Sequence, residues 1–92
     1  MYILNIKIKE NPVDKNKLAK HREWFKKYFD QGNFLIVGPY LDIETAGVII
    51  AKANSKEQIE KIISEDVFYP NEAEYELHEF QANLVADKLD WE

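Results

Sequence analysis

The chain has 92 residues, 46% of them hydrophobic and 13% aromatic, with three Gly, three Pro and no Cys, which supplies one core and leaves too little chain for a second. A net charge of -5 opposes a nucleic-acid partner, because displacing counterions from phosphates takes a basic face. Without cysteine there is no disulfide framework, no thiolate nucleophile and no sulfur-held metal, so residues 1–92 read as a single domain that depends on its core or on association, with 83–92 as a C-terminal tail.

Leu4, Ile6 and Ile8 alternate with Asn5, Lys7 and Lys9, the period-two pattern of a half-buried strand, and Asn11-Pro12 ends it. Polar residues interrupt Met1–Lys7 too often for a signal segment or a membrane span, so the expected address is cytoplasmic, with no membrane partner. From about Asp14 to Asp30, Leu18, the stem of Arg22, Phe25, Tyr28 and Phe29 recur at spacings of three and four, the inward stripe of a helix that Gly32 stops. Lys15, Lys17, Lys20, Lys26 and Lys27 are interleaved with Asp14, Glu23 and Asp30, which describes a solvated helix face.

Phe34–Val37, closed by Gly38-Pro39, and Val48–Ala51 are continuous apolar runs that predict the second and third strands, joined by a wide hairpin. Ser55 and Gln58 carry the capping-box spacing of a second helix, with Ile59, Ile62 and Ile63 inward and an end near Glu65. Ala73, Tyr75 and Leu77 alternate with glutamates as a fourth strand, and the change of parity at His78-Glu79-Phe80 predicts a kink or bulge there.

The order β-α-β-β-α-β predicts an α+β, ferredoxin-like domain: a four-stranded antiparallel sheet with both helices on one face. Strands two and three offer apolar side chains to both faces, so the uncovered face predicts a homodimer with two-fold symmetry. The tail residues Leu84, Val85, Leu89 and Trp91 either join that contact or fold back on their own domain.

A glycine-rich phosphate loop, a Gly-x-Ser-x-Gly elbow and a His-Glu-x-x-His helix are all missing, so nucleotide, hydrolase-triad and zincin chemistry lack their parts, and no cofactor is expected. His21, three after Leu18 and four before Phe25, lies on or beside the inward stripe, either as a hydrogen-bonded core residue or as a catalyst. Asp66, between the second helix and the fourth strand, either satisfies loop amides or orients an imidazole and stabilises its protonated form. Gly38-Pro39-Tyr40 is either a tight strand exit or a loop that brings amides and a phenol to a ligand. His78 has Glu76 and Glu79 as ordinary surface partners, and no spacing brings the two histidines together around a metal. Glu72, Glu74, Glu76 and Glu79 read as a solvated strand edge, and Trp24 and Trp91 as packing residues or as walls for a flat ligand.

The combination of an inward His21, Gly38-Pro39 after the second strand, Gly47 before the third and Asp66-Val67-Phe68 before the fourth resembles the YCII-related family over about residues 2–82. The resemblance implies a dimeric α+β barrel in which His21 and Asp66 are the catalytic pair and Gly38, Pro39, Tyr40 and Phe68 adjoin the substrate. The family usually has Asp-Pro-Phe at the last motif. Val67 retains a backbone donor and relaxes that loop, which bears on whether Asp66 reaches His21.

The resemblance implies an enzyme-like pocket without identifying a reaction, and the first reading of these residues is a cofactor-independent enzyme of lyase or isomerase type acting on a small organic acid, lactone or ring compound. His21 would move the proton, Asp66 would orient it, and amides near Gly38 with Tyr40 would hold an oxygen. The alternatives are a non-catalytic dimeric module that binds a metabolite in the same cleft, and a structural dimer whose interior around His21 is filled.

Overall fold

The alternation at the N-terminus buries Tyr2, Leu4, Ile6 and Ile8 on one side of β1 (Tyr2–Ile8), which lies inside the sheet. A computed structural model describes residues 1–86 of the chain. After β1 come α1 (Lys15–Asp30), β2 (Phe34–Pro39), β3 (Ala46–Ala51), α2 (Lys56–Ser64) and β4 (Ala73–Glu79). The strand order is β2-β3-β1-β4 and every pairing is antiparallel, so the domain is α+β with a ferredoxin-like arrangement.

Both helices start where side chains can satisfy their free amides. The Asp14 carboxylate accepts from the backbone N–H of Asn16 at 2.8 Å and of Lys17 at 3.1 Å. Ser55 Oγ accepts from the Gln58 amide at 3.1 Å, while Gln58 Oε1 accepts from the Asn54 amide at 2.6 Å, one residue earlier than the reciprocal box predicts. Gly32, with φ +88°, supplies the left-handed residue that ends α1.

The inward face of α1 is turned relative to the predicted stripe. His21, Trp24 and Tyr28 are buried, Leu18 and Phe25 are half-buried, and Arg22 and Phe29 are exposed. Trp24 takes the central place because its indole satisfies both demands of a core site. Its ring meets Phe34 edge-on at 5.2 Å, and its Nε1–H donates to the Ile62 carbonyl of α2 at 2.8 Å. Ile59, Ile62 and Ile63 are buried as their spacing predicts.

The bulge expected in β4 is absent. β4 keeps an unbroken register with β1 from Ala73 opposite Ile8 to Glu79 opposite Tyr2, and Phe80 follows beyond the strand, its amide donating to the Met1 carbonyl. The irregularity falls in β2 between Phe34 and Ile36, which pair with the adjacent residues Ala51 and Ile50 and leave Leu35 as the extra residue. A continuous apolar run carries no alternation to fix its register, whereas 73–77 does.

Residues 81–86 extend from the sheet without regular structure, and Leu84 and Val85 there are exposed. Leu89 and Trp91 lie outside the described residues. Among the described residues no helix is long and apolar enough to cross a membrane.

Candidate active site

The site begins with His21, which the turn of α1 carries inward between three aromatic rings. Its imidazole stacks on Trp24 at 5.7 Å and meets the edges of Phe25 and Phe68, each at 5.3 Å. In such surroundings an unpartnered polar group would be costly, so the partners of the two ring nitrogens decide what the residue is for.

Nδ1 lies 2.7 Å from Asp66 Oδ1. The carboxylate side chain is fully buried, and its second oxygen accepts a 2.6 Å hydrogen bond from the Tyr75 phenol. Burial first, and then the bond to the Asp66 carboxylate, pushes the Tyr75 phenol far above its ordinary range, so it remains a donor. An ionised carboxylate only accepts, so the neutral imidazole carries its proton on Nδ1 and its lone pair on Nε2.

Nε2 has no hydrogen-bond partner among the described residues, and no buried side-chain nitrogen or oxygen there is left unpaired, so this atom reaches open space. His21 lies in the wall of a cleft of about 780 Å³ between α1 and the β2–β3 hairpin. Ile6, Leu18, Phe25, Val37 and Ile49 give the cleft apolar walls, and its charged lining residues are Arg22, Asp42 and Glu44, with Arg22 its one lysine or arginine.

Residues 1–81 match the family model of the YCII-related domain. The chain belongs to the YCII-related family. No curated protein matches it.

The site residues expected from the sequence fall into three groups in this YCII-related domain. His21 and Asp66 come together although 45 positions separate them, and Val67, in the position of the family's usual proline, is half-buried against the core without turning Asp66 away. The Asp66 side chain bonds to no loop amide among the described residues, whereas its backbone does tie the loop, its amide donating to Ile63 and its carbonyl accepting from Tyr69.

Gly38, Pro39 and Tyr40 line the cleft, but the polar groups expected to hold a ligand oxygen are engaged elsewhere. The Tyr40 phenol donates to Asn5 Oδ1, its amide donates to the Ala46 carbonyl at 2.9 Å, and Gly38 pairs with Val48 in the ladder. Phe68, by contrast, is fully buried and is not among the residues lining the cleft; its ring meets the imidazole edge.

Two residues escaped the sequence reading. Tyr75 looked like one apolar position in an alternating strand, and only the loop fold reveals that its hydroxyl meets Asp66. Arg22 was assigned to the core stripe, yet it is exposed and faces the cleft. One further feature shapes the wall: a Cβ built on Gly47 would lie 3.0 Å from the Gly38 carbonyl oxygen, so glycine lets the two hairpin strands approach closely here.

His78 sits on the opposite face of the sheet, exposed, with Nε2 3.7 Å from Glu76 Oε1. The two histidines are therefore on different sides of β1 and β4. Among the described residues no cluster of three or more potential metal ligands occurs.

Proposed function

We propose that this YCII-related domain is a small-molecule enzyme of lyase or isomerase type, in which His21 Nε2 acts as a general base on a ligand held in the cleft. The observation that carries the reading is the polarity of the imidazole. Nδ1 is tied to a buried carboxylate, while the unpartnered Nε2 belongs to a residue in the wall of a largely apolar cleft.

A proton taken from carbon next to a carbonyl would leave an enolate on the ligand and an imidazolium paired with Asp66. The same proton would then return to a different carbon in an isomerisation, or to a departing oxygen in an elimination. Both outcomes are balanced without a redox partner, and an imidazole is a side chain that can both take and return a proton. Aliphatic and aromatic walls suit a short carbon skeleton or ring, and Arg22 suits a carboxylate on it.

We also propose that the protein works as a homodimer, in the manner of a dimeric α+β barrel. On the uncovered sheet face, half-buried Ile3, Val48 and Ile50 adjoin exposed Ile36, while Lys7, Glu74, Glu76 and His78 occupy the β4 side. Covering the apolar half against a second copy would recover about 25 cal/mol per Å². A stable monomer at micromolar concentration in analytical ultracentrifugation refutes the dimer.

The enzyme reading is tested by a thermal-shift screen of small carboxylates, lactones and phenols, followed by proton-exchange NMR of each stabilising compound. Deuterium incorporation from solvent with wild type, lost in His21→Gln while stabilisation persists, supports catalysis. Binding with no exchange at any carbon favours the metabolite-binding module.

A further inference from the structure

We infer that Tyr75 is a third member of the site, a positioning residue that acts on His21 through Asp66 by fixing the carboxylate's second oxygen. The inference rests on the base reading of His21 and extends it to what keeps the base in its working form.

A carboxylate on a loop is free to rotate about its terminal torsion, which is broad and roughly two-fold. Asp66 is denied that freedom at both ends. Oδ1 meets His21 Nδ1 at 2.7 Å and Oδ2 accepts from the Tyr75 hydroxyl at 2.6 Å, while its side chain has no exposure to water that would substitute for either.

Tyr75 is itself held in the sheet. It pairs with Ile6 in the unbroken β1–β4 register, and its ring packs on Tyr69 at 5.6 Å. The chain therefore runs from a strand, through a loop carboxylate, to a helix imidazole. Tyr75 does not line the cleft, so it acts without touching a ligand.

Removing the hydroxyl frees Oδ2 and lets the carboxylate turn. The Nδ1–H bond then loses its fixed acceptor, and His21 drifts toward the Nε2–H tautomer, which places a donor in the cleft in place of the base. An equivalent chemical role for Tyr69 is excluded by geometry, since its ring is half-exposed and its side chain does not bond to Asp66.

The test is nitrogen-resolved NMR of the two imidazoles, read at a pH high enough that further increase no longer changes their spectra, in wild type, Tyr75→Phe and Tyr69→Phe. His78, on the far face of the sheet, serves as the internal reference.

Wild type is expected to show His21 as the Nδ1–H tautomer. Tyr75→Phe is expected to lower the ratio of Nδ1–H to Nε2–H about tenfold, a part of one charge-assisted hydrogen bond, with Tyr69→Phe and His78 unchanged. A Tyr75→Phe protein that melts earlier but keeps the wild-type ratio overturns the inference and leaves Asp66 alone as the orienting group. An equal change in Tyr69→Phe also overturns it, by assigning the effect to ring packing. A wild-type His21 already in the Nε2–H form overturns the base reading itself.

Discussion

Truncation of Asp66 is the perturbation to which this arrangement should respond most. Asp66→Ala removes the acceptor of two short hydrogen bonds, 2.7 Å to the imidazole and 2.6 Å to the phenol, from a residue only 3% exposed. Two donors are then stranded beside aromatic rings, and a shallow void replaces the carboxylate. Leaving a buried donor unpaired costs about 1–3 kcal/mol for each group, against a total of about 5–15 kcal/mol for a domain of this size.

Asp66→Asn separates charge from shape. Its amide oxygen still accepts from Nδ1–H and its NH₂ donates to a Tyr75 hydroxyl turned to accept, so the expected loss is about 1–2 kcal/mol. Urea unfolding followed by tryptophan fluorescence measures both, with an unchanged denaturant slope required for the comparison. A loss below about 1 kcal/mol for Asp66→Ala would refute the claim that both oxygens are committed, because a solvated surface aspartate loses that little.

Three other expectations follow from single contacts. The Tyr28 phenol donating at 2.6 Å, with Lys27 at 3.3 Å, holds the Glu65 carboxyl below its ordinary value of 4.5. A depressed folded-state pKa contributes stability that is complete above the ordinary value and is lost as pH falls through the folded one. Glu65→Gln should therefore flatten the acid limb of melting temperature against pH below about 4.5, with a cost near neutrality under about 1 kcal/mol for so exposed a group; an acid limb identical to wild type removes the contact from the account. Gly47→Ala pushes a methyl group to 3.0 Å from the Gly38 carbonyl, a ladder atom with little room to yield, and should cost about 1–3 kcal/mol in chemical denaturation. A neutral or stabilised variant would mean that the hairpin strands separate freely. Arg22→Gln, at an exposed position, should change stability by less than about 0.5 kcal/mol while weakening a small carboxylate in isothermal titration about tenfold; equal affinity in both proteins denies Arg22 the anion.

The sequence was most legible where one side of an element is wet. Leu4, Ile6 and Ile8 alternate with polar residues, as do Ala73, Tyr75 and Leu77, and both strands formed in the predicted register class. Ser55 was readable as a cap because capping is local chemistry. Legibility failed where several apolar residues competed for one face: α1 offers Trp24, Phe25, Tyr28 and Phe29 within six positions, and only packing against Phe34 and Ile62 decides that Trp24 and Tyr28 turn inward while Phe29 stays out.

The pair His21 and Asp66 could be nominated from residue type and loop position, but not joined, since their contact depends on how the 65–72 loop folds back beneath α1. Tyr75 was invisible for the same reason, and Tyr40 misled because its phenol crosses to Asn5 and away from the cleft. Side chains whose partners lie far along the chain carry no periodic signal that would betray the bond.

The polar chain itself argues for function over packing. An interior position on α1 filled by leucine would pack against Trp24 and Phe68 with no desolvation to offset, and a lone histidine there could be satisfied by a single backbone carbonyl. Instead, three side chains from α1, the 65–72 loop and β4 are matched donor to acceptor, and among the described residues His21 Nε2 is left without a partner on a residue that lines the cleft. A buried polar network of this kind gives up stability that an apolar core would have kept. That cost, with one ring nitrogen unengaged, is what favours the proposed base over a histidine that merely fits its surroundings.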